Sequence, residues 1–93
     1  MEIQHIEKEH NGLFFVEVDG EILAKLLYRM SGPGKMIIDH TEVDGKLAGK
    51  GVGKQLVAKA VAFAREHKIK ILPLCPFAKA LFDKIPEYRD VLF

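Results

Sequence analysis

The 93-residue chain has one cysteine, Cys75. That excludes an internal disulfide and any zinc cluster built on cysteines, and it fits a reducing compartment. None of its four histidines stands at HxH or HxxxH spacing from another, so no metal site is expected. Charge of one sign is missing too. Lys and Arg number 14 against 13 Asp and Glu, a net charge of +1, and the two signs are mixed along the chain. No global field then holds nucleic acid or an anionic membrane, and an anionic ligand has to be bound locally. No apolar run approaches the length of a membrane span, and Met1-Glu2-Ile3-Gln4-His5 has neither the basic flank nor the apolar core of a signal peptide. The expected location is cytoplasmic, and no repeat, low-complexity tract or linker divides the chain.

What is present is globular in balance: 48% of residues are apolar and 29% charged, enough apolar surface to fold and too little length for a second core. One domain over residues 1–93 is expected. The first half reads as strands, Ile3 to Lys8, Leu13 to Val18 and Ile22 to Tyr28, broken by His10-Asn11-Gly12 and by the hairpin signal Asp19-Gly20. After the turn Ser31-Gly32-Pro33-Gly34, the β-branched content of Met36 to Val43 predicts a fourth strand, completing an antiparallel four-stranded meander. Val52, Leu56, Val57, Ala60, Phe63 and Ala64 then recur at helical spacing, with Lys54, Gln55, Lys59, Arg65 and Glu66 on the polar side. Ile69 to Cys75 reads as a short buried strand, so strand, helix and strand imply a right-handed crossover and a parallel fourth and fifth pair. Pro73 cannot donate to a ladder, which puts this strand at an edge or makes it diverge from its neighbour. A short helix over Phe77 to Lys84, a turn at Ile85-Pro86 and a last helical turn complete an α+β or α/β fold.

Gly49-Lys50-Gly51-Val52-Gly53-Lys54 lies between a strand and a helix, where free N–H groups and the helix dipole favour a bound phosphate. Spacing separates the motifs that share this logic. A P-loop requires glycine and a hydroxyl residue where this chain has Ala48 and Gln55. The dinucleotide fingerprint requires a third glycine where Lys54 or Leu56 stands, and the glycine pair of an RNA-binding KH clamp has no counterpart. The turn instead resembles the pyrophosphate-binding signature of the GCN5-related N-acetyltransferase superfamily: Gln or Arg, two residues, Gly, one residue, then Gly or Ala. Gly51 and Gly53 fit it. Ala48 stands at the Gln/Arg position, which leaves the backbone amides of Lys50 to Lys54 to hold a pyrophosphate without that side chain.

His40-Thr41-Glu42-Val43 before the turn, Leu74-Cys75-Pro76-Phe77 after the helix, and Pro86-Glu87-Tyr88 resemble one branch of very short domains in that superfamily. The similarity runs from about His40 to the C-terminus. It implies a shortened acetyltransferase fold in which acetyl-CoA lies between two parallel strands that splay apart. The implied cofactor-binding residues are Thr41, Val43, Gly49, Lys50, Gly51, Val52, Gly53, Lys54, Pro76 and Phe77, and the implied catalytic residues are Cys75, His40 and Glu42.

General chemistry reaches a similar site. Ligands of open α/β sheets collect beyond the carboxyl ends of the strands, where His40 and Glu42, alike in strand parity, are expected to face Cys75, with Thr41 and Val43 on the other face. Pro76 suits the first position of a helix, so the Cys75 sulfur is expected at a helix N-terminus, where a thiolate is favoured. Cys75 then either accepts an acetyl group or carries a proton, and the bland alternative is a buried small hydrophobe. His40 or Glu42 would take the proton of an attacking amine. Fuller relatives carry helices between their first two strands, so this acceptor side is expected to be open, suiting an amine on a protein, peptide or polyamine. The expected state is a monomer or weak homodimer. A non-catalytic CoA-binding module and an interaction domain with a purely structural glycine turn are the rival readings.

Overall fold

Alternating apolar residues in the first half of the chain can bury one face only as strands, and the computed structural model, which describes residues Met1–Phe93, shows them as such. β1 (Gln4–Glu7), β2 (Asn11–Val18), β3 (Glu21–Met30) and β4 (Lys35–Val43) form an antiparallel meander. Helix α1 (Val52–His67) crosses one face of the sheet to β5 (Lys70–Pro73), which pairs in parallel with β4. The strand order is β1-β2-β3-β4-β5. Helix α2 (Pro76–Lys84) follows, and 3-10 segments occupy Gly45–Leu47 and Pro86–Val91. The first of these lies in the polar stretch before the glycines, closed by the Asp44 carboxylate accepting from the Lys46 amide at 2.8 Å.

Several strand ends differ from the sequence expectation: β2 begins at Asn11, inside the expected turn, and the ends of β3 and β5 differ for reasons of pairing. β3 continues past Tyr28 to Met30 because Met30 pairs with Met36 across the Ser31–Gly34 turn. β5 stops at Pro73, short of Cys75. Its last pair is Pro73 with Ile38, after which the amides of Leu74 and Cys75 both donate to the Ile38 carbonyl, at 3.1 and 3.0 Å, instead of advancing along β4. β4 runs on through Asp39–Val43 with no strand partner on that side, so the parallel pair splays where Pro73 ends the ladder. β5 is also the edge strand. Its outer side is closed by the C-terminus, where Leu92 bridges Ile71 and the Phe93 amide donates to the Ile71 carbonyl at 2.8 Å.

The core lies on the helix side of the sheet. Phe14 and Val16, Leu26 and Tyr28, Met36 and Ile38, and Ile71 pack with Leu56, Val57, Ala60, Val61 and Ala64 of α1, joined by Ala78, Leu81 and Phe82 of α2. Leu26, Met36, Ile38, Leu56 and Ile71 are fully buried, each stabilising the fold by about 1.5–3 kcal/mol relative to exposure. Phe15 and Ile37 alternate with these positions and are buried outside that cluster, on the far face of the sheet.

One irregularity in β4 matters for the site. Leu27 pairs with His40 and Tyr28 with Ile38, so Asp39 is an extra residue in β4, a β-bulge. Its carboxylate accepts both hydrogen-bond contacts of the Arg29 Nε, at 2.8 and 3.1 Å. Beyond the bulge the parity of β4 is shifted: Thr41 and Val43, opposite Leu26 and Ala24, share the face of Ile38, while His40 and Glu42, opposite Leu27 and Lys25, take the far face.

Candidate active site

The chain enters α1 through two left-handed residues, Gly49 (φ 78°) and Gly51 (φ 70°), a conformation in which a Cβ is strained. Gly51 is the N-cap and has no side chain to satisfy the first turn. The first bond of the helix runs from the Gln55 amide to the Gly51 carbonyl at 3.1 Å, and the amides of Val52, Gly53 and Lys54 donate to no protein group. Unpaired donors at the positive end of a 16-residue helix form a surface that favours a bound anion.

That surface borders a cavity of about 390 Å³ lined by Thr41, Val43, Leu47, Ala48, Gly49, Gly51, Val52, Gly53, Lys54 and Phe77. Most of the residues expected to bind cofactor are thus brought together. Lys50 and Pro76 are not on the wall: Lys50 sits between the two left-handed glycines, and Pro76 is the first residue of α2. Leu47 was not singled out by the sequence reading, and Ala48 only as the residue standing at the Gln/Arg position. An apolar Leu47 inside the polar segment 44–50 was the available signal, and the structure buries it. Phe77 leans across Gly53 so closely that a Cβ at position 53 would lie 2.7 Å from the ring.

Cys75 is the N-cap of α2 and is buried behind the cavity wall. Its thiol donates to the Thr41 hydroxyl at 3.5 Å. Burial pushes the Cys75 thiol up, but the Thr41 hydroxyl and the backbone amides of Ala78, Phe77 and Thr41 together outweigh it, leaving the thiol below its ordinary range.

His40 and Glu42 do not face Cys75, contrary to the sequence expectation. The bulge at Asp39 turns them to the far face, where His40 Nε2 lies 3.6 Å from Glu42 Oε2 and Lys25 Nζ also lies 3.6 Å from it. Their side chains are 56% and 52% exposed, and such pairs contribute little to stability. Thr41 and Val43 point to the other face, as their parity with respect to 40 and 42 predicted. The site therefore has two sides across the splay, with the glycine turn, Thr41 and Cys75 on one and His40 and Glu42 on the other. No cluster of His, Cys, Asp and Glu suited to a metal occurs, and no helix is long and apolar enough to cross a membrane.

This arrangement has counterparts. The family model described as GCN5-related N-acetyl-transferase matches residues 13–91. The solution structure of a GCN5-like N-acetyltransferase homologue from Staphylococcus aureus is 36% identical, with 99% of this chain and 87% of that one covered and a TM-score of 0.77. A ribosomal-protein-alanine N-acetyltransferase from Brucella melitensis biovar Abortus shares the fold at 20% identity and TM-score 0.69, with 84% of this chain aligned to 62% of that one. A streptothricin acetyltransferase homologue from Bacillus anthracis, crystallised with acetyl coenzyme A, does so at 23% identity and TM-score 0.62, with 85% of this chain aligned to 47% of the longer enzyme. No curated protein matches. Because the family model spans most of the sequence and the Staphylococcus aureus homologue is similar over nearly all of it, the chain belongs to the GCN5-related N-acetyltransferase family.

Proposed function

We propose that this protein is an acetyl-CoA-dependent N-acetyltransferase acting on an exposed amine. The observation that carries the reading is the unpaired amides of Val52, Gly53 and Lys54 opening onto a cavity whose wall includes Thr41, the hydrogen-bond partner of the buried Cys75. Family membership and the acetyl-CoA-bound homologue support the same cofactor. The glycine-turn amides would bind its pyrophosphate, and Lys54 adds charge beside them. The Ala48 position has no side chain able to assist, so recognition rests on the backbone. The partnerless stretch of β4 around Thr41 and Val43 would receive the pantetheine arm, and Phe77 closes the wall. When bound, acetyl-CoA supplies an activated thioester.

Two routes follow from the two-sided site. In one, Cys75 accepts the acetyl group and an amine then attacks the acetyl-cysteine; in the other, the amine attacks the thioester directly and Cys75 only lines the pocket. In both, the amine arrives from the far face, where His40 or Glu42 takes its proton, directly or through water. The exposure of His40 and Glu42 favours an amine carried on a protein, peptide or polyamine over a small substrate that has to be enclosed.

The test is intact-protein mass spectrometry after incubation with acetyl-CoA, on wild type and Cys75→Ala, with thermal stabilisation by CoA measured on both. An acetyl adduct lost in the variant supports the acetyl-cysteine route, and stabilisation of both proteins without an adduct leaves direct transfer or cofactor binding alone. Absence of both signals would overturn the acetyl-CoA reading.

A further inference from the structure

The sequence pattern offered His40 and Glu42 as partners for Cys75, but the bulge at Asp39 removes both from its side of the sheet. What activates the thiol must be sought among the groups that touch it. From β4 the Thr41 hydroxyl meets Sγ at 3.5 Å and the Thr41 amide also acts on it, as do the amides of Phe77 and Ala78 from α2. The α1 residues in the shared core are apolar. No charged group acts on the sulfur: Lys79 and Asp83 of α2 pair with each other at 2.9 Å on the exposed side of that helix, and Lys25, His40 and Glu42 pair on the far face. Thr41 and Phe77 both line the cavity and act on Cys75, but only Thr41 does so through its side chain.

We infer that Thr41 is a positioning residue for Cys75: its hydroxyl accepts from the thiol in the resting state, donates to the sulfur once the proton has left, and so holds Sγ toward the cavity. The inference rests on Cys75 being the acetyl acceptor. In the step it serves, the Cys75 thiolate attacks the thioester carbonyl, a bond forms between Sγ and the acetyl carbon, and the carbon–sulfur bond to CoA breaks. The departing CoA thiolate takes up a proton from solvent, matching the one Cys75 released. A hydroxyl suits this role better than a charged base here, because it can reverse its hydrogen bond without placing a second ion in a buried site.

The experiment uses Thr41→Val, which keeps the shape and removes the hydroxyl, and Thr41→Ser, which keeps the hydroxyl. The ionisation of Cys75 is followed by thiolate ultraviolet absorbance against pH, with Cys75→Ala as the blank; the only cysteine makes the signal unambiguous. The titration midpoint is expected to rise by about one unit in Thr41→Val, cutting the thiolate fraction at neutral pH about tenfold, and to return close to wild type in Thr41→Ser. Acetyl-adduct formation should slow about tenfold in Thr41→Val and recover in Thr41→Ser. If circular dichroism shows Thr41→Val unfolded, Thr41→Ala repeats the measurement. A midpoint unmoved by loss of the hydroxyl, or moved equally by serine, overturns the inference. The titration needs no acetyl-CoA, so a shifted midpoint with no adduct on wild type would sink the acetyl-cysteine route and uphold the hold of Thr41 on the sulfur.

Discussion

Gly53→Ala separates a glycine kept for its turn from a glycine kept for its neighbour. Gly53 is the second residue of α1 and does not take a left-handed φ, so local propensity alone predicts that alanine stabilises the helix by up to about 1 kcal/mol. The structure predicts otherwise. The new Cβ would meet the Phe77 ring at 2.7 and 3.0 Å, so the ring must retreat by more than half an ångström to reach ordinary contact. Overpacking of this kind costs about 1–3 kcal/mol, and the low end applies because Phe77 is 41% exposed and free to swing outward. Net stability should then change by less than about 1 kcal/mol. The ring, however, is displaced from the cavity wall, so the thermal shift produced by CoA should shrink, corresponding to roughly tenfold weaker binding, about 1.4 kcal/mol. Chemical denaturation of Gly53→Ala in wild-type and Phe77→Ala backgrounds completes the cycle. Without the ring, alanine at 53 should recover its stabilising effect. Stabilisation by the same amount in both backgrounds, with CoA binding unchanged, would refute the reasoning.

Gly51→Ala should cost about 1–2 kcal/mol in chemical denaturation, all of it from the left-handed φ of 70°, since nothing lies within 4 Å of the added Cβ; Gly51→Asn should cost less. Burial among Phe14, Phe63 and Tyr28 holds the His5 pKa below 6.5, despite Glu7 acting to raise it. The folded state thus disfavours a proton the unfolded chain accepts, and this contribution, complete above about pH 6.5, is lost as pH falls. The Tm of wild type should drop across that window more than that of His5→Gln. Hydrogen bonding to Arg65 lowers the Asp90 pKa, so its contribution is present at neutral pH and disappears as acid carries the pH below the usual carboxylate range. An acid titration of Tm should show a shallower fall in Asp90→Asn.

The strand-rich first half, the main helix, the parallel crossover and the glycine turn were all legible in the sequence because each is a local or periodic signal. Apolar residues repeat every second position before the turn and at helical spacing after it, and Pro73 announces the end of a ladder. The strand ends were not legible to the residue. Met30 is in β3 because Met36 is across from it, and Cys75 is outside β5 because two successive amides share the Ile38 carbonyl. The cavity wall was mostly anticipated, while Leu47 entered it through a 3-10 turn that carries no strong pattern.

The bulge at Asp39 draws the line most clearly. The consecutive apolar residues Met36, Ile37 and Ile38 are all buried, so alternation there does not say which side each one takes. An extra residue just beyond them shifts every later side chain relative to the core, and that shift is made by pairing with β3 and by the Arg29 contact. The sequence by itself therefore determined the elements, their order and the glycine turn that opens α1, which follow from neighbouring residues. Only the tertiary structure decided that Cys75 meets Thr41 while His40 and Glu42 stand across the sheet, because that depends on a register set between strands distant along the chain.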